Sequence, residues 1–355
     1  MNSDLMLAAT YRQGGAFAVR EVPRPKAGRD ELLLRVRAAA ICGTDLKIIR
    51  NGHRKLADGQ CIVLGHEFIG TIEEAGADVR GYRIGQRVGV VPNAGCGRCD
   101  ACACGQANYC PHYTAFGIDR DGAHAPWVAV PGPFVAQGNV VPLPDEVSDR
   151  AGALLEPFSC VVNGVRASRI NLGDTVVIFG AGPIGLLHLL LCRVAGAGRV
   201  IAVEPLAQRL QRAVELGADA VINPAECDVE ERVRRQTGGR GADVVITACP
   251  AAEVQAQAVR LLAPYGRLCL FGALARGAST VPLDTNAIHY GNLLVTGTTG
   301  GSARDYRTAL RLVAGKRVHL ETIISDVFPL GQLEAAYRTA AEGAAGKVLL
   351  VAEEP

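Results

Sequence analysis

The chain has 355 residues, 49% of them hydrophobic and 20% charged. Because a typical domain has about 100 to 200 residues, we expect two domains. Its 42 glycines indicate the tight turns and close backbone approaches of a soluble globular protein. The formal net charge of +2 provides no long-range field for a polyanion, which argues against nucleic acid or an acidic membrane as main partner and favours a small molecule.

The N-terminal residues, MNSDLMLAATYRQGG, lack the basic start, apolar core and small-residue cleavage site of a signal peptide. No apolar run reaches the roughly 18 residues that a membrane helix needs. We therefore expect a cytoplasmic protein without a membrane partner.

The first part of the chain, residues 1 to about 155, is punctuated by glycine and proline. Segments such as ELLLRVRAAAICG (31–43) and TIEEAGADVRGYRIGQRVGVVP (71–92) predict short strands joined by loops. This part of the chain is therefore predicted to be mainly β.

Five cysteines lie within the sixteen residues GCGRCDACACGQANYC (95–110). The spacing CxxCxxCx7C selects four of them as ligands of one metal ion: Cys96, Cys99, Cys102 and Cys110. Cys104 is left over, although it could replace a neighbour. Four thiolates form a closed tetrahedral zinc site that stabilises a lobe and leaves no open position for a substrate. An iron–sulfur cluster and redox-active thiols are the alternatives.

From about residue 170, apolar strands alternate with amphipathic helices, a pattern typical of a parallel α/β sheet. The predicted strands are TVVIFG (175–180), RVIAVE (199–204), ADAVIN (218–223), ADVVITAC (242–249), GRLCLFG (266–272) and NLLVTG (292–297). Beyond residue 300 the sequence predicts two helices, SARDYRTALRLVAG and GQLEAAYRTAAEG, and a closing strand, KVLLVAEE.

The hexapeptide GAGPIG follows the first of these strands and opens a helix, which is the context of a dinucleotide-binding loop. Glu204 closes the next strand, where a carboxylate accepts ribose hydroxyls and repels a 2′-phosphate, so NAD is favoured over NADP. A structural glycine turn is the alternative. The predicted cofactor-binding set is Gly180, Gly182, Pro183, Ile184, Gly185, Glu204 and Arg209.

A catalytic metal needs about three protein ligands and an open position. Candidate ligands precede the cysteine cluster: AAAICGTDLK places Cys42 at a strand end, and VLGHEFIG presents His66 and Glu67 in a glycine-flanked turn before the next strand. Much later, ALLEPFSCVVNG places Glu156 at the expected junction of the two domains.

The motifs GHEFIGTIEEAGADV, CGTD, the four-cysteine lobe and GAGPIG occur together and in order, and with them the chain resembles the zinc-containing medium-chain alcohol dehydrogenase family. The segment LLEPFSC is similar to the polyol, sugar (sorbitol-dehydrogenase-like) and threonine branches. The resemblance implies an α/β fold with a mainly β GroES-like catalytic domain at 1–155 and 300–355 and a Rossmann domain, a doubly wound parallel sheet, at 156–299.

The resemblance also implies the roles of the candidate ligands. Cys42 and His66 are expected to bind a catalytic zinc ion. Glu67 is expected to be a ligand or a carboxylate that exchanges with water, and Glu156 to bind the zinc directly or through its water. A buried salt bridge is the alternative role for either glutamate.

Proton transfer is expected to begin at Thr44, where the family has a hydroxyl that takes the alcohol proton. Many relatives place a histidine three residues further on, whereas this chain has Lys47, which could shuttle the proton, bind the cofactor ribose or face solvent. His53 is an unproven substitute for that histidine. A basic cluster made of Lys47, Arg50, His53, Arg54 and Lys55 either recognises an anionic substrate or is a solvated loop.

The sequence therefore predicts an NAD-dependent dehydrogenase with two zinc ions per chain that oxidises a secondary alcohol of a polyol, cyclitol, sugar or amino sugar to the ketone. Threonine-type or sugar-phosphate oxidation is the nearest alternative. A protein of another class, a zinc-independent reductase or cofactor-binding protein, would keep only the structural zinc. Relatives form dimers and tetramers, so we expect a homo-oligomer.

Overall fold

A computed structural model describes residues 4–275, 277–343 and 346–353. The chain divides into two compact units. One unit contains the described residues up to Ser159 and those from Gly301 onward, and the other contains Cys160–Gly300. The sequence predicted boundaries after residues 155 and 299, slightly before the observed boundaries after Ser159 and Gly300. Among the described residues, no helix is both long and apolar enough to cross a membrane.

The strands, in chain order, are β1 (Leu5–Arg12), β2 (Phe17–Pro23), β3 (Leu32–Ala40), β4 (Cys61–Val63), β5 (Glu67–Ala75), β6 (Arg87–Val90), β7 (Asn93–Ala94), β8 (Thr114–Ala115), β9 (Trp127–Val130), β10 (Val140–Pro142), β11 (Thr175–Phe179), β12 (Arg199–Val203), β13 (Ala220–Ile222), β14 (Ala242–Thr247), β15 (Leu262–Leu270), β16 (Leu294–Gly297), β17 (Ile324–Pro329) and β18 (Lys347–Val351).

The α-helices are α1 (Gly43–Asn51), α2 (Asp100–Ala103), α3 (Gly132–Ala136), α4 (Asp149–Ala153), α5 (Leu155–Ser168), α6 (Pro183–Val194), α7 (Ala207–Glu215), α8 (Val229–Gln236), α9 (Ala252–Gln257), α10 (Thr285–Gly291), α11 (Ala303–Ala314) and α12 (Leu333–Ala341). Short 3₁₀ helices cover Ala107–Tyr109, Ala258–Leu261 and Leu320–Ile323.

The first unit is mainly β. Its largest sheet has the order β10-β6-β5-β3-β18-β17, with β9 also pairing with β3, and a second sheet has the order β2-β1-β4. The central strand β3, LLLRVRAAA, is buried along almost its whole length. Apolar strands of this kind bury side chains on both faces, and the core here includes Leu32, Leu34 and Phe68.

The register of β3 against its neighbours determines where the candidate ligands lie. Ala40, the last residue of β3, pairs with Glu67 on β5 and with Leu349 on β18. Cys42, which lies two residues after Ala40, is thereby brought to the start of β5. The expectation that Glu67 belongs to a turn was wrong, because this pairing with Ala40 makes it the first residue of the strand.

The second unit contains a six-stranded parallel sheet with the order β13-β12-β11-β14-β15-β16. Numbered from β11, this is the order 3-2-1-4-5-6 of the doubly wound dinucleotide-binding fold. Its core is built from strand residues such as Val177, Ile201 and Val245. The predicted α/β fold class, with a doubly wound parallel sheet and a mainly β domain, is confirmed.

One strand of this sheet begins earlier than the sequence predicts. β15 begins at Leu262 rather than at Gly266, because Leu262 already pairs with Ala242. The register then shifts, and regular pairing resumes where Arg267 meets Val244. Between these pairs Tyr265 adopts a positive φ of 64°. The intervening Pro-Tyr-Gly resembles a turn in sequence, which conceals the first residues of the strand.

Candidate metal and dinucleotide sites

The candidate catalytic metal site lies in the first unit. Cys42, His66 and Glu67 each place one donor atom within 4.8 Å of the other two. His66 and Glu67 are buried and Cys42 is half-buried, at the N-terminal end of α1. Thiolate, imidazole and carboxylate are donors that zinc prefers, and three of them leave a tetrahedral position for a substrate or water. The three residues therefore fit a catalytic zinc ion.

Asp45 contacts two of these ligand residues, a feature that the sequence interpretation missed. One carboxylate oxygen accepts the backbone N–H of Cys42 at 2.9 Å, and the other lies 3.5 Å from Nδ1 of His66. Burial alone would raise the pKa of the Asp45 carboxyl, but the adjacent His66 imidazole outweighs burial and lowers it to about 2. Asp45 thus stays ionised and leaves Nε2 of His66 available for a metal ion.

The charges around His66 favour a cation at this place. Burial disfavours a protonated imidazole, yet Asp45 and Cys42 raise the pKa of His66 well above its usual value. A zinc ion and a proton compete for the same pair of ligands, and metal binding requires that both give up their protons. The site is therefore suited to a positive charge held between Cys42 and His66.

Replacing Asp45 by asparagine keeps its shape and removes its charge. We expect the metal affinity of the Cys42–His66 site to fall about 10- to 100-fold, because the imidazole loses the anion that orients it. Competition with a chelator measures this change. The matched control is Asp58→Asn, since Asp58 is exposed in a loop and should not affect metal binding. Equal affinities in Asp45→Asn and the unmodified protein would contradict the role given to Asp45.

Glu67 forms a buried ion pair with Lys347, at the start of β18. The lysine Nζ lies 2.6 Å from Oε1 of Glu67, also contacts Oε2, and donates to the carbonyl of Ile41 at 3.2 Å. Burial disfavours the ammonium, but the charges of Glu67 and Cys42 raise the pKa of Lys347. The salt-bridge alternative for Glu67 is thus observed, and a carboxylate with four lone-pair sites retains capacity to bind a metal ion as well.

Glu156 is buried on α5 and is not part of the described donor group of Cys42, His66 and Glu67. It lies close enough to Lys347 and Tyr306 for its charge to contribute to raising the pKa of both. The expectation that Glu156 is a further ligand stays a prediction.

Thr44 and Lys47 lie on the first two turns of α1, directly after Cys42. Thr44 is half-buried, and Lys47 is exposed. The two side chains are three residues apart and share one side of the helix. Their roles in proton transfer stay predictions.

Two members of the basic cluster, Lys55 and His53, have surroundings that bear on its predicted role in binding an anionic substrate. Lys55 binds the carbonyl of Tyr113, lies 3.3 Å from the centroid of its ring, and is 3.4 Å from Asp119. The pKa of the half-buried His53 is lowered by burial and by the nearby charges of Arg54 and Lys55. Lys55 therefore has a structural role, and His53 is poorly suited to carry a positive charge.

The structure brings together the four cysteines selected by spacing, Cys96, Cys99, Cys102 and Cys110, with their sulfurs within 4.8 Å of one another. Cys104 is exposed and is not part of the group. The sulfur of Cys110 accepts backbone N–H groups from Cys96 at 3.3 Å and His112 at 3.4 Å. Such N–H contacts stabilise thiolate charge, and four thiolates fit a closed zinc site.

Two of these thiols differ in acidity. The backbone N–H groups of Arg98 and Cys99 lower the pKa of Cys96 to about 6. The N–H of Cys102 has the same effect on Cys99, but burial and the adjacent sulfurs outweigh it and raise the pKa of Cys99 to about 11. Crowded thiols of this kind resist losing all their protons unless a cation is present.

The candidate dinucleotide loop lies in the second unit, between β11 and α6. Gly180 has a φ of 93° and donates its N–H to Val203 at 2.8 Å. Gly182 caps α6, and Pro183 occupies its first turn, where no N–H partner is needed. A Cβ at Gly185 would overlap the carbonyl oxygen of Gly180. These positions give a tight turn that leads into a helix N-terminus whose first residues, 182–184, are half-buried. The N-terminus of a helix suits a phosphate.

Glu204 and Arg209 lie beside this loop. Glu204 is 4% exposed and accepts the N–H groups of Ala181 at 2.8 Å and Leu206 at 3.2 Å. Nη1 of Arg209 is 3.9 Å from the Glu204 carboxylate and 3.8 Å from the position that a Cβ on Gly182 would take. A carboxylate and a guanidinium thus flank the glycines where a cofactor ribose would bind.

Two family models match this chain: the alcohol dehydrogenase GroES-like domain over residues 28–145, and the zinc-binding dehydrogenase over residues 183–315. The fold and both metal-ligand groups define a zinc-containing dehydrogenase. The chain belongs to the zinc-containing medium-chain alcohol dehydrogenase family, as its sequence resemblance indicated.

Similar proteins include a sorbitol dehydrogenase of Halalkalibacterium halodurans, 33% identical over 97% of this chain and 98% of that protein. An L-threonine 3-dehydrogenase of Pyrococcus horikoshii is 34% identical over 99% of each chain. Among solved structures, one described as a zinc-binding dehydrogenase of Sinorhizobium meliloti bound to NADP has a TM-score of 0.88 and 34% identity, over 98% of this chain and 99% of that one.

Proposed function

We propose that this protein is a zinc- and NAD-dependent dehydrogenase that oxidises a secondary alcohol of a polyol, cyclitol or sugar to the ketone. The observation that carries this proposal is the Cys42, His66 and Glu67 donor group in a chain of the zinc-binding dehydrogenase family. The similarity to a sorbitol dehydrogenase supports a polyol substrate.

When bound, zinc would lower the pKa of a substrate hydroxyl, and nicotinamide would accept a hydride from the carbon that carries this hydroxyl. The residues of this chain hold and orient these groups. Cys42 and His66 bind the metal ion, and Asp45 fixes their orientation. Glu67 acts as a carboxylate ligand or holds water at the metal. We assign the same pair of roles to Glu156, a second buried carboxylate.

The proton lost by the alcohol needs a path to water. The Thr44 hydroxyl, two residues after Cys42, is the proposed first acceptor. Lys47 is exposed one turn further along α1, so we place it between that hydroxyl and bulk solvent. The short helix thus supplies both a metal ligand and the start of the proton path.

The preference for NAD is proposed from Glu204. A similar protein has NADP bound, so the family alone does not determine the cofactor. Glu204 places a negative charge beside the loop, and a 2′-phosphate there would be repelled. Arg209 offsets part of this charge.

Replacing Glu204 by glutamine should therefore shift cofactor preference. We expect the ratio of NADPH to NADH affinity to rise about tenfold, because a repulsion of roughly 1 to 2 kcal/mol is removed. Fluorescence titration of each reduced cofactor measures the ratio. Glu215→Gln is the control, since Glu215 is exposed at the end of α7. An unmodified protein that binds NADPH more tightly than NADH would overturn the assignment.

A screen for NAD reduction tests the substrate class. It should include polyols, inositols, sugars, amino sugars, threonine and the phosphates of these compounds. Threonine is the second candidate, because it carries a secondary alcohol and a similar protein is an L-threonine 3-dehydrogenase. Activity on polyols or sugars supports the proposal, and activity confined to threonine replaces it with this alternative. No activity together with one zinc ion per chain would indicate the zinc-independent class.

A further inference from the structure

A cavity of about 610 Å³ opens in the first unit and contains neither group of metal ligands. One wall is formed by β1, β2 and β4, including Thr10, Arg20 and Cys61, and the other by residues 116–131. This volume is within the range of sites that bind small organic molecules. The cavity is thus a candidate for a second ligand site.

Two guanidinium groups line this cavity. Nε of Arg20 donates to the hydroxyl of Thr10 at 3.1 Å, and its Nη2 lies 2.8 Å from the sulfur of Cys61. Nε of Arg120 donates to the hydroxyl of Thr114 at 3.0 Å. In the part of the chain that the structure describes, neither arginine forms an ion pair with a carboxylate. Both guanidinium groups are thus held by uncharged partners and keep N–H donors for an anion.

The acidic residues of the cavity are already engaged by donors. Asp121 accepts the N–H of Val63 at 2.8 Å. Asp119 accepts the hydroxyl of Thr114 at 2.9 Å and the N–H of Ala115 at 2.7 Å, and it also faces Lys55. Lys55 balances Asp119, but a backbone N–H does not neutralise Asp121. Two arginines thus face one carboxylate that, among the described residues, has no ion-pair partner, and the excess charge is positive.

The rest of the lining includes the partly exposed apolar side chains of Val22 and Trp127 and the buried side chains of Phe116 and Val128. Trp127 is held in place, since its Nε1 donates to Glu73 at 2.7 Å and the guanidinium of Arg24 lies 4.2 Å from its ring centroid. A fixed aromatic side chain beside apolar residues favours a ligand with a flat or apolar body.

We propose that this cavity binds a small organic anion, whose carboxylate or phosphate pairs with Arg20 and Arg120 while its apolar body packs against Trp127 and Val22. The site is separate from the proposed catalytic group. Strand β4 forms part of one wall of the cavity and ends three residues before His66. The bound anion would therefore contact the strand that leads to this metal-binding histidine.

The only tryptophan of the chain is Trp127, so its fluorescence reports binding independently of enzyme activity. The probes are benzoate and phenyl phosphate, with benzamide as the neutral counterpart. We expect a saturable fluorescence change with at least one anion and none with benzamide. A response to benzoate alone assigns a carboxylate ligand, and a response to phenyl phosphate alone assigns a phosphate.

Variants test whether the arginines bind the anion. We expect Arg20→Met and Arg120→Met each to weaken binding about tenfold or more, because a charge-assisted hydrogen bond is lost. Arg80→Met is the control, since Arg80 is exposed and donates to the nearby carbonyl groups of Ala77 and Val79. Thermal unfolding verifies that each variant is folded. The proposal is wrong if neither anion changes the fluorescence at millimolar concentration, if benzamide acts equally, or if both folded cavity variants bind as the unmodified protein does.

Discussion

Replacing Cys42 by alanine is expected to remove one of two metal ions and lower kcat/KM at least about 1,000-fold. The variant keeps His66 and Glu67 but loses the thiolate, so the remaining donors are too few to hold zinc tightly. A bound metal ion stabilises the charge that develops in the transition state by several kcal/mol, and its loss accounts for a decrease of this size. Elemental analysis and NAD-reduction rates measure the two effects.

The matched control for Cys42→Ala is Cys227→Ala, since Cys227 is an exposed cysteine of the second unit. It should keep two metal ions and its activity. A Cys42→Ala protein that retained both ions and normal turnover would place the chemistry elsewhere in the molecule.

Replacing Cys102 by serine should destabilise the cysteine lobe and remove the other metal ion. In zinc-finger peptides a structural zinc contributes about 10–16 kcal/mol to folding, which is comparable to the whole stability of a typical domain. Loss of even about 3 kcal/mol would lower Tm by about 10 °C. Calorimetry and limited proteolysis near residues 95–110 measure the change.

Cys104→Ser provides the comparison within the same lobe. Cys104 is exposed and lies outside the group of four sulfurs, so its removal should leave metal content and Tm unchanged. The reverse result, in which Cys104 is required and Cys102 is not, would mean that the ligand set chosen from spacing is wrong.

The features that the sequence predicted best are those encoded by neighbouring residues. The alternation of apolar strands and helices after residue 170 predicted a parallel sheet. The glycine spacing located the loop between β11 and α6. Gly180 and Gly185 are required there by a turn and by a close backbone approach, which are local constraints. The spacing of the four cysteines likewise reflects one short lobe.

Other features depend on tertiary contacts that residue spacing does not record. Asp45 could have been found, because a carboxylate three residues after Cys42 is suited to bind the N–H at a helix start. Lys347 could not have been found from the sequence, since 280 residues separate it from Glu67 and a buried lysine has no distinctive sequence signal. The early start of β15 was likewise concealed by residues that resemble a turn.

The ion pair between Glu67 and Lys347 also bears on the order of assembly during synthesis. Residues 160–300 form a continuous unit, whereas the metal-binding unit takes β17 and β18 from a much later part of the chain. A growing polypeptide can therefore complete the dinucleotide-loop unit first. Until β18 emerges from the ribosome and docks on β3, Glu67 lacks its cation, so maturation of the metal pocket waits for one of the latest strands to be translated.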